Sequence, residues 1–240
     1  MGKDLNTKIG IMQPYFIPYF GYFQLINAVD KFVIYDNIKY TKKGWINRNR
    51  ILLNDYEHLI TIPLKKDSDY LNIKDRYISI DFEKERIKIL NKFSEAYKKA
   101  PFYDEVLSLF KEIILFEDKN LFKYLENSIV KINNYLNIKT PILISSEIDN
   151  NNEYKLESSQ RVVYLCKKLN GNHYINPIGG LDLYSKEDFL KQGIHLSFIK
   201  KDDFTYQQFG QKFLNNLSVI DVLMFNGISS AKYLNQYTLF

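Results

Sequence analysis

The sequence predicts an α/β fold with a mostly parallel sheet, and three observations carry that prediction. Short runs of β-branched and aromatic residues alternate with segments whose apolar residues recur every three or four positions. Clusters of glycine, proline and asparagine separate many of these segments. The 240 residues are 45% hydrophobic, so a large core is available. Strands that alternate with helices are typical of a parallel sheet covered on both faces.

The N-terminal part, residues 1–81, is predicted to be an α/β half with a strand-rich extension. Its strand segments are rich in β-branched or aromatic residues and are flanked by residues that break regular structure. Asn54 and Asp55 separate two of them and indicate a hairpin turn. The predicted strands cover residues 8–12, 31–35, 45–51, 58–64 and 76–80.

Residues 82–139 read as a helical insertion or cap, with three amphipathic helices. Residues 140–240 return to α/β alternation and form the C-terminal half. We expect the three parts to form one compact domain with a Rossmann-like fold. The C-terminal elements predicted are strands at 141–145, 173–176 and 194–200 and helices at 158–169, 186–191, 219–225 and 229–233.

Composition excludes several classes of function. A single cysteine, Cys166, rules out a disulfide framework, and its apolar neighbours indicate a core thiol. The histidines, His58, His173 and His195, are far apart, so no metal site is expected. No signal peptide or membrane-spanning run is found, and we expect a cytoplasmic protein. The net charge is +5, but basic residues are concentrated only within residues 39–50. This distribution favours a local anion site over a nucleic-acid-binding surface, and the alternative is a solvated hairpin.

The stretch of residues 9–51 is the most informative part of the chain. An apolar run is followed by a bend with two prolines, then an amphipathic segment and a second apolar run. A helix that starts after a glycine-bearing bend offers unpaired N–H groups to an anion. The candidate residues of this bend are Gln13, Tyr15, Tyr19 and Gly21, and a purely structural turn is an equal alternative.

Asp36 follows the second apolar run, where the carboxyl end of a strand is expected. Ligands of parallel sheets bind beyond this end of the strands. A carboxylate there can bind ribose hydroxyls, an amine or Mg²⁺, and it can equally cap the next turn. We interpret Asp36 as the candidate base or amine anchor, near Gln13 and Tyr15.

The segment KKGWINRNR is the sharpest local feature. An extended backbone would place its two arginines on one face and the tryptophan with the asparagines on the other. Two guanidinium groups suit a diphosphate, and the indole can stack on a base or sugar. The alternative is an exposed edge strand protected by charge. The candidate residues are Lys43, Trp45, Asn47, Arg48 and Arg50.

Further candidates lie in the C-terminal half. Serines at a strand end and a helix start suit phosphate or carboxylate binding, and an arginine lies in the first turn of that helix. A pair of glycines after a strand can approach a ligand through backbone N–H groups, although it can also be a plain flexible turn. These residues are Ser146, Ser159, Arg161, Asn176, Gly179 and Gly180.

The motifs resemble those of the WbqC-like family of bacterial proteins. The resemblance rests most specifically on IMQPYFIPYFGYFQLINAVDKFVIYDN and KKGWINRNRI. It continues through LNIKTPILISSEI, SSQRVVYLCKKLNGNHYINPIGG and LSVIDVLMFNG, and so spans nearly the whole chain. The family is associated with gene clusters for O-antigen, lipopolysaccharide, capsule and other surface-polysaccharide synthesis. The resemblance therefore implies a sugar-related role.

A weaker resemblance connects the bend to the HxGH-type nucleotidylyltransferases and related acid-activating ligases of the HUP class. In that frame Tyr19 and Tyr22 stand at the two histidine positions, and Gly21 keeps the glycine. The loss of both histidines removes the groups that stabilise the transferring phosphate. The resemblance therefore implies a nucleotide-binding scaffold without that chemistry.

Together these observations lead to three functional hypotheses. The first is a transferase that moves an acyl or aminoacyl group to the amine of a dTDP-, UDP- or GDP-linked amino sugar. The second is an ATP-dependent, acid-activating ligase, and the third is a non-catalytic nucleotide-sugar binding protein. Acyl-CoA and ATP with Mg²⁺ are the candidate cofactors, and neither is fixed by the sequence. The sequence is also compatible with a homodimer.

Overall fold

The computed structural model describes residues 6–148, 156 and 158–240. The strands of the described chain are β1 (Lys8–Met12), β2 (Lys31–Ile34), β3 (Arg48–Leu53), β4 (Tyr56–Thr61), β5 (Ile142–Ile144), β6 (His173–Pro177), β7 (His195–Lys201) and β8 (Tyr237–Leu239). Its α-helices are α1 (Phe20–Ala28), α2 (Phe82–Tyr97), α3 (Tyr103–Ile114), α4 (Leu121–Tyr135), α5 (Ser145–Ile148), α6 (Ser158–Lys168), α7 (Lys186–Lys191) and α8 (Val219–Asn226). Short 3₁₀ helices cover Ile73–Asp75, Ile178–Leu183 and Gly227–Tyr233.

Within the described residues, six strands form the central sheet in the order β5-β2-β1-β6-β7-β8. Neighbouring strands are parallel except for β8, which pairs antiparallel with β7. From β1 the chain builds outward through β2 to β5, then crosses back and continues from β6 on the other side of β1. The strand order thus reverses between β1 and β6, as in doubly wound nucleotide-binding folds. The predicted Rossmann-like fold is confirmed.

The sheet is covered on both faces because its strands are apolar on both sides. Ile9 and Ile11 of β1 pack in one core cluster with Cys166 of α6. Phe32 and Ile34 of β2 belong to the opposite cluster, which also contains α1 and the insertion helices. Cys166 is fully buried, and desolvation raises the pKa of its thiol to about 12, so the predicted core thiol is confirmed.

The predicted helical insertion forms as α2, α3 and α4. The rings of Phe93 and Phe110 stack at 3.8 Å between centroids and hold α2 against α3. The strand predicted at residues 76–80 is wrong. There the backbone makes single bridges instead, such as the one between Tyr77 and Asn120, because the segment is hydrogen-bonded to the start of α4. The domain boundaries stay a prediction.

The hairpin of β3 and β4 stands apart from the main sheet. Asn54 and Asp55 form its turn with φ values of 50° and 66°, which confirms the predicted hairpin. The strand predicted from residue 45 begins only at Arg48. The cause is a turn in which Gly44 N–H donates to Thr41 O and Arg48 Nε donates to Gly44 O at 2.9 Å. Strand β8 was not predicted.

A buried carboxylate ties the hairpin to the helices behind it. Asp221 of α8 is inaccessible to solvent and accepts hydrogen bonds from Tyr97 at 2.8 Å, Tyr206 at 2.6 Å and Gln208 at 2.7 Å. The Tyr97 hydroxyl also accepts from Leu52 N–H of β3. Desolvation raises the pKa of Asp221, and the three hydrogen bonds only partly offset it.

We expect Asp221→Asn to flatten part of the pH dependence of stability. The folded protein holds the Asp221 proton to a higher pH than the unfolded chain does. The stability that this proton contributes is complete below the ordinary aspartate pKa of about 4 and is lost as the pH rises through the folded-state pKa. Urea unfolding from acid to neutral pH should show the wild-type free energy of unfolding falling relative to the variant, by at most about 1.4 kcal/mol per pH unit. Parallel profiles would contradict the raised pKa.

Candidate functional site

Two adjoining cavities open at the switch point, beyond the carboxyl ends of β1 and β6. Together we call them the cleft. The smaller lobe has a volume of about 500 Å³ and the larger lobe about 660 Å³, and each is in the size range of small-molecule sites. Both lobes share a wall, which consists of Tyr15, Tyr19, Trp45, Ile178 and Gly179.

A strained bend between β1 and α1 builds one side of the shared wall. Within this elbow, residues 13–19, the buried Ile17 has a φ of 37°. A β-branched residue seldom adopts the left-handed region, so the surroundings must enforce this conformation. Asn49 of β3 and Ser218 before α8 do so, because both donate to Ile17 O, at 2.8 and 2.9 Å. Asn49 Nδ2 also donates to Phe16 O at 3.0 Å.

The elbow presents two tyrosines to the cleft. The ring of Tyr19 lies over Gly21, where a Cβ would overlap it, so the glycine allows this ring position. Gln13 Nε2 donates to the Tyr15 hydroxyl at 2.7 Å. Burial raises the pKa of Tyr15 and raises the pKa of Tyr19 to about 12. Both phenols are therefore protonated at neutral pH and can donate hydrogen bonds to a ligand.

Tyr22, at the second histidine position of the nucleotidylyltransferase frame, does not reach the cleft. Its side chain is fully buried and its hydroxyl donates to Gln13 O at 3.3 Å. The ring packs on Tyr15 and Phe32. Of the two tyrosines in that frame, Tyr19 alone lines the cleft among the described residues.

Trp45 and Arg50 lie on the same side of the hairpin. The Arg50 guanidinium stacks on the indole at 4.8 Å and pairs with Glu57 at 2.5 Å. The sequence predicted an extended segment, in which these two side chains would lie on opposite faces. That prediction is wrong because the chain turns before β3 begins. Trp45 lines both lobes and Arg50 lines the smaller one.

The smaller lobe is cationic. Arg50, Lys200 and Lys201 line it together with the carboxylate of Asp203. Burial lowers the pKa of Lys201, while Asp202 and Asp203 oppose this shift. Neither lysine was predicted from the sequence as a site residue. Their position at the carboxyl end of β7 was the available signal, because ligands of parallel sheets bind at that end.

The larger lobe is mostly apolar and aromatic. Arg161 carries the only charge among its described lining residues, and it stacks on Tyr35 at 4.9 Å while donating to Asn37 O at 3.0 Å. Gln13 and Asn176 add amide groups to the wall. Asn176 Oδ1 accepts from the Tyr174 hydroxyl at 2.9 Å, which fixes its orientation.

Gly179 and Gly180 are adjacent in this wall, but the surrounding structure requires a glycine only at position 180. A Cβ on Gly180 would overlap the side-chain amide of Asn176. A Cβ on Gly179 would meet no atom within 4 Å, and the backbone of Gly179 is not left-handed. Gly179 is therefore not required by the fold, although it is exposed on both lobes.

Asp36 lines neither lobe of the cleft. The side chain is buried, and its carboxylate accepts from Ser145 Oγ at 2.7 Å, Ser146 N–H at 3.0 Å and Ser146 Oγ at 2.6 Å. These bonds tie the end of β2 to the first turn of α5. The geometry favours this structural use of Asp36 and Ser146, and the catalytic role of Asp36 stays a prediction.

The other candidates do not line either lobe. Asn47 is buried and donates to Ile62 O at 2.7 Å, and Arg48 supports the turn before β3. Lys43 is exposed, and Ser159 lies in the first turn of α6. Of the sequence candidates, the cleft brings together Gln13, Tyr15, Tyr19, Gly21, Trp45, Arg50, Arg161, Asn176, Gly179 and Gly180.

Within the described residues, no helix has the length and apolar character needed to cross a bilayer. No cluster of three or more histidine, cysteine or acidic side chains suited to a metal ion occurs in that same part of the chain.

We expect alanine at the two neighbouring glycines to have different effects on stability. Gly180→Ala must displace the Asn176 amide and its bond to Tyr174, at a cost of about 1–3 kcal/mol in the free energy of unfolding. Gly179→Ala adds a methyl group to open space and should stay within about 0.5 kcal/mol of wild type. Denaturant unfolding of both variants measures the difference. Equal losses would contradict the open wall at Gly179.

Comparison with known proteins agrees with the resemblance seen in the motifs. An uncharacterized protein of Mycobacterium tuberculosis, Rv1507c, is 28% identical over 233 residues, which cover 95% of this chain and 97% of that protein. No solved structure matches the chain. The WbqC-like protein family matches residues 13–233, from the elbow to the last 3₁₀ helix. The chain therefore belongs to the WbqC-like protein family.

Proposed function

We propose that the protein binds a nucleotide-linked amino sugar and transfers an acyl or aminoacyl group to the sugar amine. One observation carries this proposal: a cationic lobe and an apolar, aromatic lobe adjoin at the switch point of a Rossmann-like sheet. Ligands of such sheets bind in that crevice. The association of the family with surface-polysaccharide gene clusters supplies the sugar context. A cytoplasmic location and a homodimer belong to the same proposal.

The smaller lobe is the proposed nucleotide site. Its positive charges suit a diphosphate, since guanidinium and ammonium groups form strong, charge-assisted hydrogen bonds with phosphate oxygens. Arg50 and Lys200 take this role, and the N-terminus of α1 at Gly21 adds a favourable dipole. Lys43 and Arg48, which the sequence had suggested for the diphosphate, do not line this lobe.

Trp45 is the proposed platform for the base or the sugar. Its indole is 40% exposed in the wall of the cleft, and the stacked Arg50 restricts its motion. Asn215 and Asn216 also line the smaller lobe and can hydrogen-bond to hydroxyl groups or to a base edge. The lobe thus offers both charge and stacking.

The transfer joins the sugar amine to the carbonyl carbon of an acyl thioester. The amine nitrogen forms the new C–N bond, the C–S bond breaks, and the proton of the amine ends on the departing thiol. Tyr15 and Tyr19, which stay protonated, donate to the carbonyl oxygen as negative charge develops there. Asp203, the carboxylate among the described residues of the smaller lobe, accepts the amine proton.

A second candidate, an acid-activating ligase that uses ATP, is favoured by one observation. The parallel strand order and the elbow that leads into α1 are compatible with the nucleotide-binding frame that the weaker sequence resemblance implies. Exchange of labelled pyrophosphate into ATP distinguishes the two candidates, because the thioester transferase forms no pyrophosphate. Exchange that depends on a carboxylic acid would replace the first candidate by the second.

We expect Lys200→Glu to weaken the binding of UDP and of UDP-linked sugars. The exposed lysine lines the cationic lobe, and a reversed charge repels the diphosphate. The dissociation constant measured by calorimetry should rise at least about tenfold. Lys99→Glu is the matched control, because this exposed lysine lies in the turn after α2, and its substitution reverses the same charge away from the cleft.

Both variants should unfold at the wild-type temperature, since neither lysine is buried. If neither UDP, dTDP nor GDP binds the wild-type protein, the proposed nucleotide site is wrong. Equal weakening by both substitutions would show that only the overall charge of the protein matters.

A further inference from the structure

We infer that the larger lobe is an acyl subsite that selects an apolar or aromatic acyl group. This inference rests on the proposed transfer and names the class of its second substrate. The wall of the lobe includes the side chains of Ile11, Ile38, Val162 and Leu183, along with several aromatic rings. Apolar ligand surface is favoured in such a pocket, and a strongly charged group such as a diphosphate is not.

The size of the lobes supports two separate subsites. Each is within the range that accommodates a whole small molecule, and they meet along one shared wall. The charges are divided unequally, with three cations in the smaller lobe and a single arginine among the described residues of the larger one. A diphosphate is therefore held on one side and an apolar group on the other, with the reacting atoms between them.

The position of Asp36 argues against a nucleoside in the larger lobe. In dinucleotide-binding folds a carboxylate at the end of the second strand binds the ribose hydroxyls. Here the carboxylate of Asp36 is buried, is already bound by Ser145 and Ser146, and does not line the larger lobe. Among the described residues, Asp36 therefore does not offer the larger lobe the carboxylate that binds a ribose in dinucleotide-binding folds.

Gly179 marks the place where the two subsites meet. The fold does not require a glycine there, since a Cβ would meet open space and φ is ordinary. Any side chain at this position enters the space next to both lobes. The absence of a side chain leaves the passage open for the amine and the carbonyl carbon to come together.

The test compares hexanoate, benzoate and acetate as probes in ligand-observed NMR titrations of the full chain. Hexanoate and benzoate should bind the wild-type protein and acetate should not, because acetate has little apolar surface. Leu183→Glu should raise the dissociation constant of hexanoate at least about fivefold. Leu190→Glu is the matched control, because both leucines are largely exposed and Leu190 lies on α7 outside the lobe.

Binding of UDP, measured on the same variants, separates this inference from the proposed function. Leu183→Glu should leave UDP binding unchanged, whereas Gly179→Leu should weaken both UDP and hexanoate without lowering the unfolding temperature. Absence of hexanoate binding, or equal effects at Leu183 and Leu190, overturns the acyl subsite even if UDP binds. Hexanoate binding that depends on Leu183 without any nucleotide binding supports the subsite and overturns the nucleotide proposal alone.

Discussion

The hydrogen bonds that Asn49 donates to the elbow are the constraint on which the cleft depends. They hold the carbonyls of Phe16 and Ile17 against β3, and Ser218 completes the support at Ile17. A buried, left-handed isoleucine is unfavourable by itself and persists only under such support. The Asn49 amide thus joins the elbow to the hairpin, and Ser218 joins the elbow to the start of α8. Together they fix where Tyr15 and Tyr19 face the cleft.

The fold places the elbow between two lobes of different chemical character. The reversal of strand order at β1 leaves a crevice, the hairpin adds Trp45 and Arg50 on one side, and the end of β7 adds Lys200 and Lys201. Positive charge therefore collects in one lobe, while apolar side chains of β1 and α6 fill the wall of the other. Such a division suits a reaction between an anionic carrier and an apolar group, because each is recognised by different physical chemistry.

The sequence was sufficient to predict the fold class and many of the residues that line the cleft, but not the directions of individual side chains. Periodicity located the buried strands and helices because their apolar faces repeat regularly. Trp45 and Arg50 could not be placed correctly, since a turn closed by the Gly44 N–H and the Arg48 side chain replaces the extended backbone that the residue types of their segment favour. Whether Asp36 faces a ligand or Ser146 depends on a contact across 110 residues, which no local pattern encodes. Lys200 was missed because a pair of lysines is usually an ordinary solvated surface.

Trp45, the only tryptophan of the chain, stands in the wall shared by both lobes and allows the most direct test of the cleft. Its fluorescence should change in a saturable way as a UDP-linked sugar is added, with a midpoint equal to the dissociation constant from calorimetry. Binding detected by calorimetry with no change in Trp45 fluorescence would place the ligand elsewhere and contradict the cleft as the site.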